Sequence, residues 1–536
     1  MLSIQIHGNS QTCNINNSVS TFADVQALEA YLAAEFAGMT CTEIILRNGI
    51  TIDCASMPTS LNFTGPFIDK IVNFGSLRID GCSSVQTIDG FQQAVSGFII
   101  IQNNDVLTAI SGFPQLINLN GIVISNNPEL ITIDEFPLVS GNNGSISISN
   151  NPKLITFPGY SRIKCTNAIS IRDNEALTNI GDYSNLLNSG NISIINNNSL
   201  LSIDAFHSLS FISGELEIRL NDKLNSISGF SNIKQQRSNG IEISDNPELN
   251  TISEFTHLEY LNDLHIYNNP ALVNMGDFPS LTRVDWFWMI NNNSLITLGD
   301  FPQLSTVDRG FFIRNNLNLT NIGDFSQLCE VNFFPSGDAV LITGNPNLSV
   351  STCCTFSHLF EFGTINGDID ISNNGVNCTE ADILNCPSSP VSSSCITNDV
   401  DIFLNACGEA YINKCEFIEG PCCEYEVTFT INNFGNNLGT YVLDEFDVGS
   451  YPVTMDNGVD PPCAITLTVH SACEDNLTIS GSIASNLYEA SNTITSDGTV
   501  TSGPVDFSAG VSVNLEPDFE VYNGQVFHAF IDGCGN

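Results

Sequence analysis

"IEISDNPELNTISEF", residues 241–255, and "IVISNNPELITIDEF", residues 122–136, are nearly one sentence written twice. Each opens with two apolar residues one apart, passes through an Asn, and runs on to two further apolar positions. Written as φ-x-φ-x-x-N-x-x-φ-x-x-φ-x-x-F-x-x-L, the pattern sets its Asn at Asn104, Asn127, Asn151, Asn174, Asn197, Asn221, Asn246, Asn269, Asn292, Asn316, Asn345 and Asn374. The steps are 23 to 25 residues as far as Asn316, and 29 for the last two. "LRIDGCSSV" puts Cys82 in the same slot one step earlier, which makes about thirteen copies. A fixed period of this length marks a stacked repeat, and longer terminal steps suit an array meeting its cap.

The period has a direct physical reading. The φ-x-φ piece alternates as a strand with one buried face, so Ile122 and Ile124 point in while Val123 and Ser125 point out. Leu130, Ile133 and Phe136 supply two further walls. One copy cannot bury these residues alone, but stacked copies share a continuous core, with parallel strands about 4.8 Å apart. At the corner after each strand, backbone groups point inward without partners. An inward Asn carries an acceptor and two donors and meets them in its own rung and the next. Losing one would strand a buried polar group at roughly 1–3 kcal/mol. The thiol of Cys82 is expected to fill the slot as a weaker donor. Pro after Asn in several copies (Pro128, Pro152, Pro247, Pro270, Pro346) fixes φ at the turn.

The run "ISNNPELITI", with steps such as "FTHL" after it, resembles the receptor L domain of the insulin and epidermal growth factor receptor families. It is also similar to repeat arrays of secreted Bacteroidetes-type surface proteins. The resemblance covers about residues 20–387. It implies an all-β fold, a right-handed parallel β-solenoid related to leucine-rich repeats. It further implies a module that binds proteins or serves structurally, not an enzyme.

Open solenoid ends need lids. Residues 21–37, "TFADVQALEAYLAAEFA", read as an amphipathic helix with Val25, Leu28, Leu32 and Phe36 on one face, Thr21 as its cap and Gly38 at its end. Cys13, Cys41 and Cys54 are placed to staple this N-terminal cap, residues 1–60. At the far end of the solenoid, residues 61–387, Cys353 and Cys354 fall near Cys378 and Cys386, which suggests two disulfides of unassigned pairing. A Ser-, Pro- and Cys-rich linker spans 388–423. Strand-like alternation over 424–472 resembles a small Ig-like domain. Short Gly-punctuated strands over 473–536 resemble a three-coathanger-stack β module, with Cys473 and Cys534 bracketing it.

Bulk composition narrows the partners. With 58 acidic against 15 basic residues the net charge is −43, and no Lys or Arg follows Lys414. Such a surface repels nucleic acid and anionic membranes. No apolar run approaches the ~18 residues of a membrane helix. Eighteen cysteines suit an oxidising compartment, so an extracellular or cell-surface location is expected. Catalytic signatures such as G-x-S-x-G, H-E-x-x-H and the P-loop are absent from the sequence, and the seven His show no metal spacing. No enzyme activity, cofactor or metal is expected; the paired cysteines at 353 and 422 are read as disulfide partners rather than zinc ligands.

One outward stretch stands apart. In "DWFWMINNN" the register puts Phe287 and Met289 inside and Trp286 and Trp288, the two Trp of the chain, outside. The preceding rung offers His265 and Tyr267 at equivalent positions, and the following one Phe312 and Arg314. Glu217, Arg219 and Glu242 border them. Exposed aromatic patches mark contact sites, and flat rings suit the C–H faces of sugars. The expected function is recognition of a protein or glycan by this surface. The alternatives are a structural spacer without a dedicated ligand, packing of the patch against a later segment, and cross-strand pairing for stability.

Overall fold

The computed structural model describes residues 12–386 apart from 16–19, 135, 142–143, 237, 333–336, 350–352 and 377, together with the backbone of strands between 394 and 530. It divides into two compact units, Met1–Pro390 and Val391–Asn536.

The first unit is a parallel β-solenoid of about twelve turns. Its main sheet stacks the φ-x-φ strands in strict register. Ile122 pairs with Ile146, then Ile169, Ile192, Leu216, Ile241, Leu264, Phe287 and Phe311 in succession. All of these are buried. A shift of one residue would send this whole column to solvent, so burial itself fixes the register. The other walls are equally regular. Rings stack rung on rung from Tyr183 through Phe206, and from Phe255 through Phe278 and Phe301 to Phe325, with centroids 4.9–5.3 Å apart.

The Asn column is the axis of the array. Eleven of its twelve members are fully buried, and only Asn374 at the end is half-buried. From Asn104 onward, each Asn donates its backbone N–H to the side-chain oxygen of the next Asn, at 3.0–3.2 Å throughout. The Asn151 amide donates both to Ile124 O in the rung before, at 3.0 Å, and to Ser149 O in its own, at 3.0 Å. One side chain thus meets corner groups of two rungs. At Cys82 the expectation fails. Its sulfur is bonded to Cys54, so no thiol proton remains, and only its backbone N–H joins the column, donating to Asn104 Oδ1 at 3.0 Å.

The residue just before each column Asn was not singled out by the sequence pattern, yet it turns the corner. Asn103, Asn126, Asn150, Asp173, Asn196, Asp245, Asn268, Asn291 and Asn315 all adopt φ of 53–59°. Asn and Asp tolerate this left-handed region better than other residues with a Cβ. Several also form an outer ladder of side-chain bonds, such as Asn126 Nδ2 to Asn103 Oδ1 at 3.1 Å and Asn291 Nδ2 to Asn268 Oδ1 at 2.9 Å. Before Asn345 the corner is Gly344, with φ 74°, and Leu220 is the exception among residues with a Cβ, with φ 58° and its side chain in solvent.

The helix of the N-terminal segment runs Val25–Glu35 and buries Val25, Leu28 and Leu32, with Phe36 just beyond. Asp24 caps it, accepting the Ala27 N–H at 2.8 Å, not Thr21. Thr21 instead belongs to the strand Ser20–Phe22, which pairs with Ile50–Ile52. Sheet pairing with Phe22 buried outcompetes one more helical turn there. Disulfides join Cys13 to Cys41 and Cys54 to Cys82 near this end, and Cys353 to Cys378 and Cys354 to Cys386 at the other.

In the second unit, Glu426–Phe429, Gly449–Asp456 and Cys463–His470 pair antiparallel. From Glu474 onward the pairing is parallel, with Asn486–Ser496 between Glu474–Ile479 and Pro504–Ala509. The expected link between Cys473 and Cys534 and the cysteines at 422 and 423 lie outside the described residues.

Leu220→Asn relieves the left-handed strain and supplies the missing amide of the outer ladder. It is expected to stabilise the chain by about 1 kcal/mol, read as a higher midpoint in urea. A lower midpoint would show that the corner does not select Asn for this reason.

Candidate functional site

The outward face of the main sheet is a grid of columns one rung apart. In the central column Glu217 pairs with Glu242, then His265, Trp288, Phe312 and Leu341. Two residues further along the strands lie Arg219, Ser244, Tyr267, Ile290 and Arg314. Two residues the other way, Trp286 pairs with Asp263 and Gly310. The nine expected residues do lie on one face, but the alignment differs from the sequence reading. His265 and Phe312 flank Trp288, whereas Tyr267 and Arg314 flank Ile290. The neighbours of Trp286 in its own column carry no ring. In the middle of the array this face is small and polar, with Ser147, Ser149, Ser170 and Ser193 at the outward positions, and nearer its start Phe98, Ile100 and Val123 take them.

Four rings touch. His265 stacks on Trp288 with centroids 4.1 Å apart, and Phe312 lies parallel to Trp288 at 6.1 Å. Trp286 stands across both, 5.5 Å from Trp288 at 73° and 5.8 Å from Phe312 at 67°. Its six-membered ring lies over Gly310, where a Cβ would come within 2.8 Å of Cζ3 and 3.1 Å of Cε3. The glycine of "RGFF" is therefore the socket for this indole, a role the sequence pattern gave no reason to expect. Trp286 and Trp288 are half-buried. Trp288 Nε1 and His265 Nε2 have no hydrogen-bond partner among the described residues, so the column stands despite unmet polar atoms.

The polar border is ordered. Glu217 accepts from Arg219, from Arg172 at 3.3 Å and from Ser193 at 3.4 Å. Glu242 accepts from Tyr267 at 2.7 Å and Ser244 at 2.8 Å. Arg314 differs from both arginines: it is exposed, and its guanidinium makes no hydrogen bond or ion pair with any described residue. On the Trp286 side the register slips between Val284 and Trp286, which sets Asp285 against Arg309 at 3.3 Å and Arg283 against Asp308. Burial pushes the Asp285 carboxyl up to about 6; nearby Asp308 adds to this, and the two arginines oppose it. This cluster, too, went unread in the sequence, because a bulge leaves no periodic trace.

Burial pushes His265 down to about 4, against the pull of Glu242. The imidazole is thus neutral at physiological pH, and its stack on Trp288 is not a cation–π contact. Among the described residues no cluster of His, Cys, Asp or Glu could hold a metal. Nor is any described helix long and apolar enough to cross a membrane.

Neither a known family model nor a curated protein matches the sequence. Among solved structures the chain is similar to InlP of Listeria monocytogenes, at 15% identity over 66% of this chain and 88% of that one, with a TM-score of 0.17. A likeness at that TM-score carries no argument about what this chain does.

A folded-state shift of this sign makes the His265 contribution present above pH ~6.5 and lost as pH falls towards 4. An NMR titration should find its midpoint near 4; a midpoint at the ordinary 6.5 would show that the ring is solvated. Gly310→Ala should displace Trp286 and red-shift the tryptophan emission without unfolding the array. Unchanged emission would show that Trp286 does not use Gly310 as its seat.

Proposed function

We propose that this chain is a non-enzymatic, extracellular or cell-surface binding protein. Its rigid solenoid holds out the patch of Trp286, Trp288, His265 and Phe312, with Tyr267, Arg314, Glu242, Arg219 and Glu217 around it, to recognise a protein or glycan. One observation carries the reading. Four rings in one contiguous cluster sit on the solvent side of a sheet whose other outward positions are largely small or charged. Apolar groups gathered on a surface otherwise built for water mark contact sites. The half-burial of both indoles leaves part of each available.

The helix Val25–Glu35 serves in this account as the lid of the first rung, and the β modules over 424–472 and 473–536 as stalk or anchor. The disulfides at both ends of the array suit an oxidising environment. A second reading, a structural spacer, draws on the His265–Trp288–Phe312 column. Parallel rings on adjacent strands stabilise a sheet without any ligand.

The double variant Trp286→Ala, Trp288→Ala separates the two. Recognition predicts a folded protein, by circular dichroism, that loses its partners in a glycan array and a surface-protein screen. A spacer predicts a less stable protein with an unchanged partner profile.

A further inference from the structure

We propose that the patch takes an acidic glycan, with a sugar ring against Trp286 and Phe312 and a sugar carboxylate on Arg314. The inference rests on the recognition role proposed above and narrows its ligand. Three features combine. Arg314 lies two residues beyond Phe312 on the same strand and the same face, and Gly310, the seat of Trp286, lies two residues before it. Gly310 to Arg314 therefore spans about 13 Å along the strand, the reach of a short oligosaccharide. The chain carries 58 acidic residues, yet this guanidinium is exposed and unpaired among the described residues, while Arg172, Arg219, Arg283 and Arg309 on the same face all hold carboxylates. An Arg kept free among so many potential partners has its planar fork open to a carboxylate from outside. Repulsion from the rest of the chain is screened beyond roughly 8 Å at physiological salt, so the local charge decides what a small ligand meets.

An acidic peptide is the rival occupant, and the sheet disfavours it. The strands Arg283–Ile290 and Thr306–Arg314 are paired on both sides, so no edge here is open to a peptide adding itself as a strand. Laid across the rings, a peptide would leave backbone amides facing apolar surface without partners. A sugar presents its C–H face to a ring and keeps its hydroxyls in water.

Both Trp of the chain are in the patch, so intrinsic emission reports its occupancy directly. The full chain is titrated with trigalacturonate, with the carboxyl-reduced neutral trisaccharide and with a triglutamate peptide. The proposal expects a saturable change in emission with trigalacturonate that weakens with salt. The neutral sugar should bind at least about tenfold more weakly, and the peptide should give no response. Arg314→Gln, at an exposed position, should bring trigalacturonate down to the neutral sugar while leaving the neutral sugar unchanged. Equal binding of both sugars, no effect of Arg314→Gln, a stronger response to the peptide, or no response to any sugar would each overturn it. Those results leave the broader recognition role standing unless the Trp286→Ala, Trp288→Ala protein also keeps every partner.

Discussion

A buried side-chain amide at each corner is the interaction on which this chain depends. A solenoid rung has to leave its strand, turn, and start a new wall inside a closed core, and each turn exposes inward backbone groups that no strand ladder can reach. Water is excluded there, so each unmet group would cost roughly 1–3 kcal/mol, repeated at every rung. The Asn column removes that cost in a way that also ties rung to rung, because each side chain accepts from the rung before and most donate to carbonyls of two rungs. Apolar packing alone does not fix the distance between turns. The strand ladder sets that distance and burial sets the register, and the amide column carries the tie round the corner, where no ladder reaches.

That fixed spacing makes an outward surface possible. Side chains that share a column are held one rung apart by the backbone. A patch therefore needs only suitable residues at successive repeats, with no loop to position them. His265, Trp288 and Phe312 meet for this reason. Trp286 requires something more, a neighbour without a side chain, and Gly310 provides it. The local bulge before Gly310 places Asp285 and Arg309 beside that indole, so the least regular point of the sheet borders its most apolar one.

Much of this was legible in the sequence, and the limits have physical causes. The inward residues could be read because burial imposes strict period and alternation: Ile122, Ile124, Leu130 and Phe136 are all in the core. The Asn column could be read because a single chemical need recurs at each corner. Counted back from the Asn column, His265, Trp288 and Phe312 share one offset, and Tyr267, Ile290 and Arg314 another, so the alignment of the outward residues is also written in the repeat. Placing Tyr267 level with Trp288 ignores that offset; its partner is Ile290. A repeat template records the slot a residue fills and not its covalent partner, so Cys82 reads as a thiol although it is bonded to Cys54. The left-handed corner at Asn103 and its successors is hidden for a similar reason: Asn there looks like any solvated polar residue until φ is known.

The most direct measurement is hydrogen exchange in an Asn221→Leu protein, a change that keeps the branched shape of the side chain and removes the amide. The backbone N–H of Asn197 donates to Asn221 Oδ1 at 3.0 Å, so its protection reports the column itself. The account predicts that exchange at Asn197 and in the rungs on either side accelerates by about a hundredfold or more, while Asn316, far along the array, keeps its protection. Unchanged exchange at Asn197 would mean that apolar packing holds the rungs together and the buried amides are passengers.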